Sequence, residues 1–367
     1  MATKKFNGKL PGRVVLVLQG GGALGAYQVG VYQALHESGI EPEWIIGTSI
    51  GAINAALIAG NKPEDRMNQL LSFWERVEQK SVNLPFDPLG MASMLTNLNI
   101  MMKGLPAFFK PNTAAMMGNN VKLGVEKAAY YCTEPLGETL NELVDFDQIN
   151  GKGKVRLTVG AVNVNSGVMR YFDSSTTDLD TRHIMASGAL PPAFGAVRID
   201  GEPYWDGGIY SNTPIEAVLD DNPRRDSMVF AVNVWHQAGP EPETIANVLA
   251  RQKDIQFASR ADSHIEKQKQ IHRLRHIIRE LGKQLPANKQ STAQVKELTA
   301  WGCGTTMHVA HLVAPRLDNE DQSKDIDFSF AGVNARRAAG YADTMRMIER
   351  APWTEYADPI EGVLEYR

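Results

Sequence analysis

The sequence is short of cysteine, of one-sided charge and of long apolar runs. Cys132 and Cys303 are its two cysteines, too few for a disulfide framework, and no Cys/His spacing resembles a zinc site. No metal is expected, and a reducing compartment fits. Lys+Arg number 38 against 42 Asp+Glu, a formal net charge of −4, which excludes a general affinity for nucleic acid. The opening MATKKFNGKLPGR lacks the apolar segment of a signal peptide, and residues 1–12 read as an N-terminal tail. The longest uncharged apolar stretch, between Trp44 and Lys62, is broken by Gly47, Thr48, Ser49, Gly51 and Asn54. It reads as strand, turn and helix, not as a membrane span of ~20 apolar residues. A cytoplasmic protein is expected, with any membrane contact peripheral.

What is present is ordinary globular composition, 43% hydrophobic and 22% charged. Val14–Leu18 is a β-branched run that suits a buried parallel strand, and Ala26–Glu37 has helical spacing of apolar residues. A second strand at Trp44–Ile46 leads to a small-residue helix, Ala52–Ala59. This β-turn-α rhythm predicts an α/β fold of three layers, α/β/α, with a mostly parallel central sheet. Further strands are expected at Val155–Val164, Met169–Asp173, Met228–Val234 and His308–Val313, and a last helix over Phe328–Arg350.

Gly47-Thr48-Ser49-Ile50-Gly51 is a Gly-x-Ser-x-Gly pentapeptide between a predicted strand and a predicted helix. Such a turn holds a serine hydroxyl at an exposed tip, with Gly47 and Gly51 letting the backbones pack closely. The helix that follows aims its first N–H groups at a developing oxyanion. A glycine-rich turn with a spectator serine satisfies the same pattern.

Gly20-Gly21-Gly22-Ala23-Leu24-Gly25 has two readings. Gly20, Gly22 and Gly25 match the Gly-x-Gly-x-x-Gly of dinucleotide sites. Gly20, Gly21, Gly22 and Ala23 equally offer successive backbone N–H groups as an oxyanion hole. A dinucleotide site needs an acidic residue at the end of the second strand. Glu41 and Glu43 precede that strand, and Gly47-Thr48-Ser49 occupies its end. That placement favours the oxyanion reading over a nucleotide-binding oxidoreductase.

Tyr204-Trp205-Asp206-Gly207-Gly208 sets an acid against two glycines on an expected loop. Alone, Asp-Gly is a turn. With the glycine loop, the serine pentapeptide and Ala186-Ser187-Gly188-Ala189-Leu190-Pro191-Pro192-Ala193-Phe194, it resembles the patatin-like phospholipases over roughly residues 13–235. The resemblance implies a catalytic domain over 13–235, with a cap or lid at 84–145. It implies a Ser-Asp dyad, Ser49 as nucleophile and Asp206 as general base, with the Gly20–Gly22 loop binding the oxyanion. It further implies hydrolysis of fatty-acyl esters of lipids through an acyl-enzyme, of the phospholipase A or lysophospholipase kind, without a cofactor. Residues 236–367 look like a C-terminal helical extension that lends a strand, 308–313, to the same sheet. Leu24 departs from the resemblance, since many members carry Arg or Lys there.

Two other functions fit. The order Ser49, Asp206, then His308 or His311 matches the triad of α/β-hydrolases. A non-catalytic lipid-binding protein could also retain this fold. For lipid contact, residues 84–117 gather Met91, Met94, Met101, Met102, Met116 and Met117 among Leu84, Phe86, Leu89, Leu95, Leu98, Leu105, Phe108 and Phe109. Flexible methionines suit an acyl groove, with Met101 and Phe108 as candidate substrate contacts; a cap packing its own core suits them too. Residues 251–283 hold nine Lys/Arg, Arg260 among them, against four acids. Ile271, Leu274, Ile278 and Leu281 form one helical stripe there. It reads as a scaffold helix packing its stripe on the core or on a second copy, or as a peripheral contact with anionic membrane.

Overall fold

Val15–Leu18 is wholly buried because both faces of its strand are covered. Val14, Leu16 and Leu18 enter one core, Val15 and Val17 the other. The structure is a computed structural model that describes residues 6, 8–79, 99–118, 120–151, 153–258, 261–317, 320–356, 358 and 360–367. The strands among them are β1 (Arg13–Leu18), β2 (Trp44–Gly47), β3 (Lys110–Pro111), β4 (Tyr131–Cys132), β5 (Arg156–Asn163), β6 (Met169–Asp173), β7 (Val197–Ile199), β8 (Glu202–Asp206), β9 (Ser227–Asn233), β10 (Met307–Val313) and β11 (Val363–Tyr366). The main sheet runs β11-β10-β9-β1-β2-β5-β8-β7, with β6 pairing β5. Pairing is parallel from β11 to β5 and antiparallel for β6, β7 and β8. β3 and β4 form a separate two-stranded ribbon.

Helices α1 (Ala26–Glu37), α2 (Ile50–Ala59) and α3 (Pro63–Val77), with the helix Phe330–Arg350, supply the first core. The helices Glu216–Leu219 and Ala261–Gln284 supply the second. The sheet is thus the middle of three layers. α1 meets Phe330–Arg350 backbone to backbone: a Cβ on Gly30 would lie 1.9 Å from the Arg337 carbonyl oxygen. Residues beyond 300 therefore extend both the sheet and its helical cover. No helix among the described residues is long and apolar enough to cross a membrane.

The Ala261–Gln284 helix corrects one expectation. Its inward face is Ile265, Gln268, His272 and His276. Ile271, Leu274 and Leu281 are exposed, so the apolar stripe does not pack on the core. Several of its cations are paired within the chain, Lys269 with Glu365 at 2.7 Å and Arg273 with Glu361 at 3.2 Å. Leu84, Phe86, Leu89, Met91, Met94, Leu95, Leu98 and Arg260 lie outside the described residues, as do the side chains of Met116 and Met117.

Candidate active site

β2 ends at Gly47 and α2 begins at Ile50, so the chain reverses through Thr48 and Ser49. Ser49 sits at φ 57°, ψ −127°, a region that residues bearing a Cβ rarely enter. Its N–H donates to the Ser187 carbonyl and to Ser187 Oγ, both at 3.1 Å. Ser187 Oγ in turn donates to the Gly160 carbonyl at 2.7 Å. A Cβ on Gly47 would fall 2.3 Å from the Gly51 carbonyl oxygen, and one on Gly51 2.3 Å from that of Leu18. The turn closes only with glycine at both positions.

Asp206 is the last residue of β8 and not part of a loop; it faces Ala161 across the antiparallel β5–β8 pair. The strand opens Glu202-Pro203, and proline hides it from a reading of local pattern. The Gly208 N–H donates to Asp206 Oδ1 at 2.7 Å, and the Ser49 side chain stands near enough to the same carboxyl to draw its pKa down. Asp206 is 1% exposed. Burial pushes its pKa up to about 7, against the opposing pull of the Ser49 side chain and the Gly208 hydrogen bond.

The glycine loop follows β1. Gly20 differs from expectation: its N–H is committed to the Asn212 carbonyl at 3.2 Å. Its own carbonyl accepts from Asn212 Nδ2 at 3.0 Å and from Trp235 Nε1 at 2.8 Å. The next N–H groups, of Gly21 and Gly22, have no partner among the described residues, and both glycines line the cavity in front of Ser49. Ala23 is fully buried and does not line it. Leu24 packs in the core at 4% exposure, where a charged side chain would be stripped of water. Asn212 and Trp235 stand out in no motif at the sequence level, and Ser187, within the quoted run 186–194, carries no sign there of the support it gives Ser49.

The cavity has a volume of about 790 Å³ and holds Ser49, Asp206, Gly20, Gly21, Gly22 and Asn212 on its wall. The remainder is mostly apolar. Phe108 meets Phe73, Phe109 and Phe194 edge to face. Met101 also lines the cavity and is 54% exposed.

Among the described residues, which include all eight histidines, none of the histidines lines this cavity. His308 Nδ1 bonds Tyr366 Oη at 2.8 Å, and His311 Nε2 bonds Glu365 Oε2 at 3.1 Å. Both belong to β10, with β9 and β1 between it and β2. Glu41 pairs with Arg66 at 2.5 Å ahead of β2, away from the strand end where a dinucleotide's ribose would need it.

Parts of the sequence are similar to known proteins. The sequence profile of the patatin-like phospholipases matches residues 16–219, and a second profile, described as patatin phospholipase, matches residues 255–360. Lysophospholipase nte1 of Aspergillus terreus is 62% identical over 52 residues, 14% of this chain and 3% of the relative. Triacylglycerol lipase ptl3 of Schizosaccharomyces pombe is 42% identical over 62 residues, 17% of this chain and 13% of the relative. An uncharacterised NTE-family protein of Mycobacterium bovis is 24% identical over 250 residues, 68% of this chain and 57% of its own. The chain thus spans a small part of the first two relatives. Among solved structures, VipD from Legionella pneumophila aligns with 93% of this chain and 67% of its own at 16% identity, TM-score 0.38. ExoU from Pseudomonas aeruginosa, in complex with SpcU, aligns with 80% and 59% at 19% identity, TM-score 0.29. Likenesses this loose carry no argument. By the match over residues 16–219, more than half of its length, the chain belongs to the patatin-like phospholipase family.

Proposed function

We propose that this protein is a lipid acyl hydrolase of the phospholipase A or lysophospholipase kind, working through a Ser49–Asp206 dyad and an acyl-enzyme. The observation that carries the reading is the placement of Ser49 and the buried Asp206 carboxyl together on the wall of one apolar cavity, near enough for the serine to lower the pKa of the acid. Ser49 Oγ attacks the ester carbonyl, and its proton passes to Asp206. The carbonyl oxygen gains charge beside the Gly21 and Gly22 N–H groups, which are already oriented. Collapse of this intermediate expels the alcohol, which takes the proton from Asp206. Water then attacks the acyl-enzyme with Asp206 again accepting a proton, and collapse returns that proton to Ser49 as the fatty acid leaves. A pKa near 7 suits both halves of the cycle, since the group must accept and then give a proton at neutral pH.

The names of the relatives, a lysophospholipase and a triacylglycerol lipase, support the same reaction class. The test measures fatty acid released from a panel of phospholipids, lysophospholipids and acylglycerols by wild type, Ser49→Ala and Asp206→Asn. Release is expected from wild type and its loss from both folded variants, with a fluorophosphonate probe labelling wild type and not Ser49→Ala. Undiminished release by Ser49→Ala would refute the dyad.

A further inference from the structure

We infer that the Ser49 cavity selects acyl esters whose polar part is uncharged or net neutral, and discriminates against those bearing a net anionic group beside the ester. The inference rests on the reading of Ser49 as nucleophile and adds the class of substrate. Its basis is the charge on the wall. Among the described residues lining the cavity, the acidic side chains are Asp206 and Asp325, and there is no lysine, arginine or histidine.

Two lysines nearby are already paired. Lys253 pairs with Asp325 at 2.7 Å. Lys324 is buried and pairs with Asp254 at 2.6 Å, with Arg316 on the same carboxylate at 3.5 Å. The chain does group arginines beside a cavity: Arg346, Arg350 and Arg367 line a neighbouring cleft of about 810 Å³ that shares Trp235 with this one. Among the described residues, the two adjoining sites therefore differ in their cationic lining.

A phosphate monoester entering the Ser49 cavity would give up water without gaining a counter-ion from the described residues of its wall. It would also stand close to Asp206. A like charge favours the protonated form of that carboxyl, and so removes the base that the reaction needs. A glycerol hydroxyl suffers neither penalty. Tyr130, half exposed and on the cavity wall, offers such a group a hydroxyl partner. A choline phosphate, whose two charges cancel, falls between.

The experiment compares kcat/KM for three decanoyl esters below their micellar concentrations: monoacylglycerol, lysophosphatidylcholine and lysophosphatidic acid. Working below micelle formation removes surface attraction from the comparison. Wild type, Ser49→Ala and Asp325→Asn are assayed in parallel. We expect wild type to favour monoacylglycerol over lysophosphatidic acid by about tenfold or more, the scale of one like-charge contact at partly buried separation. Asp325→Asn leaves the Lys253 ammonium without its counter-ion, held only by the Gln322 carbonyl at 2.7 Å, and the ratio should fall severalfold. Equal rates, or a preference for the anionic ester, would overturn this inference while hydrolysis still vanished in Ser49→Ala. Cleavage surviving in Ser49→Ala, or no cleavage of any ester by wild type, would overturn the nucleophile reading and this inference with it.

Discussion

The indole N–H of Trp235 donates to the Gly20 carbonyl at 2.8 Å, tying the segment after β9 to the loop after β1. Gln19 strengthens the tie, its Oε1 accepting from the N–H groups of Val234 at 2.5 Å and Trp235 at 2.9 Å. Gly20 is thereby fixed, and the orientation of the following two N–H groups with it. Trp235→Phe keeps an aromatic ring against Phe257, now 5.2 Å away between centroids, and removes the donor. Losing one buried hydrogen bond of ~1 kcal/mol should lower kcat about fivefold with little change in KM. Steady-state kinetics beside a thermal melt separates the cases. An unchanged kcat, or KM and melting temperature moving together, would assign Trp235 to packing.

The serine turn and the glycine loop are legible in the sequence because their requirements fall on contiguous residues. Glycine must stand where backbones touch, and the hydroxyl must sit between two of them. Asn212, Trp235 and the role of Ser187 within its run are illegible for the opposite reason. Each acts through hydrogen bonds to a remote backbone, and a lone Asn or Trp leaves no periodic trace. Gly20 reads as a free donor for the same reason, because nothing in the loop announces the Asn212 carbonyl that occupies it. β8 is masked by Pro203, tolerated near the start of a strand. The Ala261–Gln284 helix teaches a further point. Apolar spacing tells that Ile271, Leu274 and Leu281 share a face, and not which face meets the core; here His272, His276 and Gln268 turn inward.

His308 and His311 provide a separation of stability from chemistry. Their ring partners, Tyr366 and Glu365, belong to β11, and neither ring reaches the Ser49 cavity. Replacing both with alanine should leave turnover largely intact while lowering unfolding free energy by about 1–3 kcal/mol through lost buried hydrogen bonds. Denaturant unfolding and initial rates on one ester settle it. A loss of activity equal to that of Ser49→Ala, in protein still folded, would restore a triad.

Chain-length preference should follow the cavity wall. Met101 is half exposed at the cavity and Phe108 is buried within the aromatic cluster behind it. Met101→Gln should impair long-chain esters severalfold more than butanoyl esters, since each methylene freed from water contributes ~0.8 kcal/mol. Phe108→Leu should act in the same direction, with some loss of stability from the aromatic cluster. The ratio of hexadecanoyl to butanoyl turnover is the measurement. Equal loss on both substrates would mark these side chains as packing residues.

Asp206 links activity to stability with opposite signs. Its carboxyl ionises near 3.8 when unfolded and near 7 when folded, because burial disfavours the charge. Between those two values the folded chain holds a proton that the unfolded chain has released. The group's favourable contribution is therefore complete below 3.8 and is lost as pH rises through about 7. At one unit per 1.36 kcal/mol, the loss amounts to about 4 kcal/mol at most. Asp206→Asn carries no charge to bury, so it should melt higher than wild type at alkaline pH and converge with it in acid. Activity should run the other way, kcat/KM rising with pH as the base form appears and levelling above about 7. Melting curves for both proteins across this range, set beside the wild-type pH–rate profile, test both halves. An Asp206→Asn variant that melts lower than wild type in alkali would mean that hydrogen bonds to the carboxylate outweigh its burial, and the acid limb of the rate profile should then move below neutrality.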